Sequence, residues 1–172
     1  MKLVYGLTPK VLSPQSLIDC DRSNFGCFGG TAGDAIAYLS IATEKDYPYK
    51  GVTNHCRTNK TKEVIPYKPR AFVYKIAGKR LKVELATKGP FVAMIDASRE
   101  SFKKYKSGIY HDPDCKDSLN KLNHGILVIG YGTHPKHGDY WLLVSRQHPL
   151  GSRSTVRGSV PAELKQITAR TP

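Results

Sequence analysis

The fold of this chain is decided by residues 122–132, which read LNHGILVIGYG. Four aliphatic residues in a row, Ile126 to Ile129, are bounded by glycines, a pattern typical of a buried strand. Because apolar and polar residues do not alternate, we expect both faces of this strand to be covered. His124 stands at the start of the strand, on a rigid element, where a general base has to be held. The alternative is a strand-end histidine that only packs against a neighbour, and one histidine does not decide between the two.

Further segments accompany this histidine along the chain. The histidine segment and the stretch DYWLL at 139–143 resemble the corresponding part of the papain family of cysteine peptidases. SPQSLIDC at 13–20 resembles the family's LSxQxLxDC segment, and GCFGG at 26–30 resembles its GCxGG loop. The resemblance runs from about Val4 to Leu143 and is nearest to the cathepsin L-like branch. Shorter matches lie in the family's order at Tyr47-Pro48-Tyr49, Gly89-Pro90, Ile95-Asp96-Ala97 and residues 105–110 (YKSGIY).

The resemblance implies an α+β fold, an incomplete papain-like arrangement of two lobes. Residues 1–67 are expected to form the remnant of a helical lobe, and residues 68–143 a partial antiparallel β-barrel lobe. Residues 144–172 have no counterpart in the family. Their Ser, Arg, Thr, Gly and Pro content buries little apolar surface, which predicts a disordered tail.

Local patterns predict where the main elements begin. Ser13-Pro14 has the form of an N-cap followed by proline at the first helical position, and we expect Leu17 and Ile18 to face inward from that helix. A turn containing Gly89-Pro90 predicts the end of a later helix. The predicted helices and strands are Ser13–Asp19, Thr31–Leu39, Phe91–Ala97, Gly125–Tyr131 and Asp139–Leu143.

The resemblance makes His124 the catalytic base and acid. Cysteine peptidases need a thiolate beside an imidazolium, a group that orients the imidazole and an oxyanion hole. The family's orienting asparagine lies in a KNSWG segment, and Ser145 occupies the matching position here. A serine hydroxyl is shorter than a carboxamide, so we expect it not to reach the ring. The family's QGxCGSCW segment, which carries the nucleophile, is not found, so catalysis by this chain on its own is not expected.

The resemblance also implies part of a cleft for a peptide or protein substrate. Adjacent glycines at 29 and 30 let another backbone approach closely, as in strand addition, although a plain turn is the alternative. No cofactor and no metal is implied. The positions that match the subsites on the acyl side of the scissile bond are Phe25, Gly29, Gly30, Ala32, Met94, Asn123 and Gly125.

Four cysteines, at 20, 27, 56 and 115, allow three pairings by spacing, and no CxxC metal pattern occurs. The resemblance implies a Cys20–Cys56 disulfide. The family partners of Cys27 and Cys115 have no counterpart in this sequence, so both are expected to be unpaired.

Composition limits the partners. With 27 basic and 14 acidic residues the net charge is +13, but the basic residues are scattered, which favours solvated faces over a polyanion site. No nucleic-acid motif occurs, and nucleic acid is not an expected partner. No apolar stretch approaches transmembrane length, and Met1–Gly6 does not have the form of a signal peptide. The family resemblance implies a lysosomal or secreted protein.

Three functions compete. The first is that of a cysteine endopeptidase homologue, a thiol protease by resemblance, that is inactive as written and poorly soluble on its own. The second is that of a non-catalytic papain-like relative that binds a peptide or a partner protein and folds well. The third is a basic polyanion-binding module, for which binding would depend steeply on salt.

Overall fold

A computed structural model describes residues 10–38, 41–57, 70–75, 78–114, 118–145, 154–158 and 165–170. The chain divides into two compact units, one within residues 1–71 and one within residues 72–170. The predicted lobe boundary after residue 67 falls outside the described residues and stays a prediction. Within the described ranges, no helix is both long and apolar enough to cross a lipid bilayer.

The first unit contains two short helices, α1 (Pro14–Cys20) and α2 (Ala32–Ala37), with a 3-10 helix at Gly26–Phe28 between them. Helix α1 begins as its sequence predicts, because Ser13 Oγ accepts the Ser16 amide at 3.0 Å and proline occupies the first turn. Thr31 caps α2 in the same way.

The inward face of α1 differs from the prediction. Leu17 and Ile18 are only half-buried, whereas Gln15 and Ser16 are fully buried. The reason is a set of distant hydrogen bonds: the Gln15 carboxamide donates to Val52 O at 2.7 Å and accepts from the amides of Lys50 and Gly51. Paired in this way, a buried amide costs little.

The second unit is built on a sheet with strands β1 (Arg70–Lys75), β2 (Phe91–Ile95), β3 (Ile109–Tyr110), β4 (His124–His134), β5 (Gly138–Ser145), β6 (Ser154–Gly158) and β7 (Lys165–Arg170). The strand order is β1-β7-β2-β4-β5-β6-β3, and of the described strand pairs only β3 with β6 is parallel. Helices α3 (Gly78–Lys88) and α4 (Glu100–Lys103) and a 3-10 helix at Leu119–Lys121 complete the unit. The fold is therefore α+β with a predominantly antiparallel sheet, which confirms the predicted class.

The core of the second unit lies on one face of the sheet. Alternate residues of β2, β4 and β5 point into it, and α3 and α4 cover it. Burying each large aliphatic or aromatic side chain contributes roughly 1.5–3 kcal/mol, so this cluster is the main source of stability for the strand that begins at His124. Its buried members are Leu81, Leu85, Phe91, Ala93, Ile95, Phe102, Ile126, Val128, Trp141 and Leu143.

The strand at residues 125–131 forms as predicted, but the expectation that both of its faces are covered is wrong. Ile126 and Val128 are buried, whereas Leu127 and Ile129 are 40% and 38% exposed. The strand pairs on both edges, with β2 and β5, but only one of its two faces is packed.

The tail also differs from the prediction. β5 runs on to Ser145, and residues 154–158 and 165–170 form strands where the composition predicts disorder. The edges of an existing sheet explain this, because β6 pairs with β5 and β7 with β2, and composition does not show such backbone pairing in advance.

Candidate active site

His124 is the first residue of β4, and the sheet fixes where it starts. It pairs with Ile95, the last residue of β2. The preceding residue, Asn123, donates its amide to Ile95 O at 3.0 Å, and its side-chain oxygen accepts the Ala97 amide at 2.8 Å. These two bonds tie the end of β2 to the start of β4. The position of His124 is therefore fixed by backbone hydrogen bonds to the end of β2, on a rigid element.

The His124 imidazole contacts Ser145. The distance from His124 Nε2 to Ser145 Oγ is 2.9 Å, a hydrogen bond. The expectation that the serine hydroxyl is too short to reach the ring is wrong. Ser145 is 1% exposed, so this bond is shielded from water.

The strand register explains the contact. Leu127 lies opposite Val144, and continuing this antiparallel register by one residue places Ser145 opposite Ile126. His124 is then a diagonal neighbour of Ser145 on the same face of the sheet. Diagonal neighbours lie roughly 7–8 Å apart, within reach of an aromatic side chain. The imidazole thus spans the distance that a serine side chain does not span by itself.

His124 is half-buried, and burial lowers the pKa of its imidazole because the charged form loses hydration. The neutral imidazole is therefore favoured around neutral pH. Within the described part of the chain, the Nδ1 atom has no hydrogen-bond partner. When Nε2 carries the hydrogen of the neutral ring, Nδ1 accepts a proton.

An aromatic ring that the sequence analysis does not identify packs against the imidazole. The ring of Phe102 in α4 lies 6.3 Å from that of His124, centroid to centroid, at an interplanar angle of 62°. Phe102 is 3% exposed. No sequence pattern predicts this contact, since it depends on how α4 packs on the start of β4.

Three of the proposed substrate-binding residues lie near His124. Met94 pairs with Gly125 across β2 and β4, and Asn123 precedes the histidine. A Cβ atom built on Gly125 would lie 3.7 Å from Met94 Sδ, an ordinary van der Waals contact. The structure thus places Met94, Asn123 and Gly125 beside His124, and their role in binding stays a prediction.

The other four proposed substrate-binding residues lie in the first unit. Gly29, Gly30 and Ala32 line an open depression of about 240 Å³, whereas Phe25 is 74% exposed. Gly30 has to be glycine, because a Cβ atom there would lie 1.9 Å from Asn24 Oδ1, which accepts the Thr31 amide.

The structure forms the Cys20–Cys56 disulfide that the resemblance implies. Cys27 is a free, exposed thiol, and Cys115 lies outside the described residues. In the described part of the chain, no group of three or more His, Cys, Asp or Glu side chains is arranged to hold a metal ion.

An α+β fold with a histidine at the start of a central strand agrees with the resemblance to cysteine peptidases. Residues 6–146 match the papain family of cysteine proteases. The chain belongs to this family. It is 41% identical to a cathepsin L-like protein of Caenorhabditis elegans over 140 residues, which are 77% of this chain and 40% of that protein. The chain thus spans about two fifths of the length of such relatives.

Solved structures agree on the fold. A digestive procathepsin L2 proteinase from Tenebrio molitor larval midgut matches with a TM-score of 0.77 and 26% identity, over 95% of this chain and 54% of that one. The proform of Amb a 11, a cysteine protease and major ragweed pollen allergen, matches with a TM-score of 0.83 and 25% identity. The match covers 99% of this chain and 55% of that one. The papain-like fold predicted from the sequence is confirmed.

Proposed function

We propose that this chain supplies the general-base half of a cysteine-peptidase site, with His124 as base and acid and Ser145 as the group that orients it. The observation that carries the proposal is the 2.9 Å contact between His124 Nε2 and Ser145 Oγ. Membership of the papain family supports the reaction class, peptide-bond hydrolysis through a Cys–His pair.

This role requires one tautomer of the imidazole. When Nε2–H donates to Ser145 Oγ, the lone pair at Nδ1 is free to accept the proton of a thiol. The resulting imidazolium then donates from Nδ1 to the leaving amine as the acyl-enzyme forms. In this tautomer Ser145 plays the part of an orienting group, since its hydroxyl accepts from Nε2–H.

We also infer that the 172-residue chain on its own does not hydrolyse peptides. Cys20 and Cys56 are joined in a disulfide and have no thiolate to offer. None of the four cysteines stands in a segment like the family's QGxCGSCW. Ser145 is not a substitute nucleophile, because a hydroxyl that is 1% exposed cannot approach a substrate carbonyl.

Nitrogen NMR of the imidazole tests the role of His124. In the wild-type chain near neutral pH, we expect the chemical shifts of a protonated Nε2 and an unprotonated Nδ1. Ser145→Ala should abolish this preference, while Ser107→Ala, at an exposed serine of the same unit, should leave it unchanged. A ring protonated at Nδ1, or a preference that survives Ser145→Ala, overturns the proposed base.

A second candidate, a non-catalytic relative that binds a peptide, is favoured by the depression in the first unit. Gly30 stands at its edge, and within the described residues its backbone N–H and C=O make no hydrogen bond, so both are open to strand addition. This candidate predicts saturable binding of an extended peptide, and N-methylation of the peptide's backbone amides should weaken it by removing the donors that strand addition needs. Binding that is absent, or that N-methylation leaves unchanged, contradicts this candidate.

The proposed partner is a peptide or protein, and the proposed location is a lysosomal or secreted one. The Cys20–Cys56 disulfide supports the location, since such bonds persist in oxidising compartments.

A further inference from the structure

The His124 imidazole is contacted from two directions. Ser145 Oγ meets Nε2 at 2.9 Å, and the ring of Phe102 meets the imidazole at 6.3 Å between centroids with a steep interplanar angle of 62°. This edge-to-face arrangement is one of the favoured geometries for a pair of aromatic rings.

A single hydrogen bond does not fix the ring. The imidazole can still rotate about its last side-chain torsion, which is broad for histidine, while Nε2 remains near the hydroxyl. Such a rotation would change the direction in which Nδ1 points. A second, non-polar contact on the ring removes that freedom.

Phe102 is itself held firmly. Its ring lies 5.5 Å from the ring of Tyr110 at 78°, again edge to face. The Tyr110 hydroxyl lies 2.7 Å from Ser101 Oγ and donates to Asp112 at 3.2 Å, and Ser101 Oγ donates to the same carboxylate at 2.5 Å. Arg99 Nε lies 3.5 Å from that carboxylate, so an ion pair closes the network behind Phe102.

We propose that Phe102 is a positioning residue for His124: its ring and the Ser145 hydroxyl together fix the direction of Nδ1. The inference rests on the proposed role of His124 as the base. Phe102 acts only through the histidine, and its contribution is to hold the imidazole and exclude water from it. The network from Arg99 to Tyr110 holds Phe102 in place.

The core of the second unit offers a matched control. Phe91 belongs to the same core cluster as Phe102 and is 2% exposed, but its ring contact is with Trp141. Phe91→Leu and Phe102→Leu remove the same atoms from the same cluster. A purely structural role of Phe102 would make the two variants alike.

The test uses nitrogen-labelled full chain and the Nε2–H signal of His124, assigned by its loss in His124→Gln. In Phe102→Leu we expect this signal to be lost through faster exchange with water. We also expect the tautomer preference of the His124 imidazole to weaken. Phe91→Leu should lower the melting temperature while the His124 signals stay at their wild-type positions. If Phe102→Leu does not fold, Phe102→Met, whose flexible side chain fills irregular gaps without a ring edge, takes its place with the same expectation.

A result in which both variants, or neither, change the His124 signals overturns the positioning role. This outcome is distinct from failure of the proposed function, which shows in the wild-type chain as protonation at Nδ1. If the wild-type chain has the expected tautomer and the His124 signals are the same in Phe102→Leu and Phe91→Leu, only the role of Phe102 is rejected.

Discussion

His124 and Ser145 are joined across β4 and β5 by a hydrogen bond of 2.9 Å between Nε2 and Oγ. The strand register sets this pair, because Ser145 is a diagonal neighbour of the histidine and lies on the same face. A serine at this position therefore still reaches the imidazole, although its side chain is shorter than the asparagine of the family's pattern.

Removing the hydroxyl tests the strength of this bond. Ser145→Ala should lower the free energy of unfolding by roughly 1 kcal/mol, since one hydrogen bond is lost and Nε2 is left in a half-buried site. Urea denaturation of the full chain measures the change. Ser107→Ala, at an exposed serine, is the matched control and should change stability by less than about 0.5 kcal/mol. Equal effects of the two substitutions would show that the bond does not contribute.

The buried imidazole makes stability depend on pH. Burial lowers the pKa of His124 below its ordinary value of 6.5. Below that value the unfolded chain takes up a proton before the folded chain does, so stability is lost as the pH falls through the interval between the two pKa values. The unfolding free energy of the wild type minus that of His124→Gln should decrease as the pH falls from about 7.5 to 5. If wild type minus variant stays constant or increases, burial does not lower the pKa of His124.

Gln15 should be the most sensitive polar position of the first unit. It is fully buried and bonds to Asp19, Val52, Lys50 and Gly51. Gln15→Ala removes partly buried hydrogen bonds to three backbone groups and empties a buried position, and we expect a loss of roughly 3 kcal/mol. Asn120→Ala, an exposed amide, is the control and should have little effect on thermal unfolding. A loss below about 1 kcal/mol for Gln15→Ala would mean that water replaces its bonds.

The disulfide and the free thiol should differ in reactivity. Cys20 and Cys56 are 36 positions apart, so removing their bond by Cys20→Ala with Cys56→Ala should destabilise the first unit by about 4 kcal/mol on the chain-entropy estimate. Peptide mapping after alkylation should find Cys27 modified without reductant, and Cys20 and Cys56 only after reduction. Protection of Cys27 in the native chain would contradict its assigned exposure.

Local chemistry was predictable from the sequence. Ser13 caps α1 and Pro14 fills its first turn because both effects depend on residues within one turn. The apolar run from Ile126 to Ile129 likewise predicts a strand whatever surrounds it. The inward face of α1 could not be predicted, because Gln15 finds its partners at residues 50–52, far along the chain.

The candidate site shows the same division. The flanking Asn123 and Gly125 and the strand that follows identify His124 in the sequence. The reach of Ser145 was misjudged, since it depends on a diagonal across two strands and on the length of the imidazole rather than on the serine side chain. Phe102 has no sequence signal at all, because its contact with His124 arises from the packing of α4.

The central claim is that this chain carries an oriented base and, by itself, no nucleophile. The most direct measurement combines hydrolysis of a fluorogenic cathepsin L substrate with labelling of the purified chain by a thiol-directed epoxide. We predict no turnover above a His124→Ala control and no stoichiometric epoxide label at one activated cysteine, because both need a thiolate–imidazolium pair and we propose that this chain forms none. Turnover that both His124→Ala and a single cysteine substitution abolish would contradict the claim and reveal a replacement nucleophile.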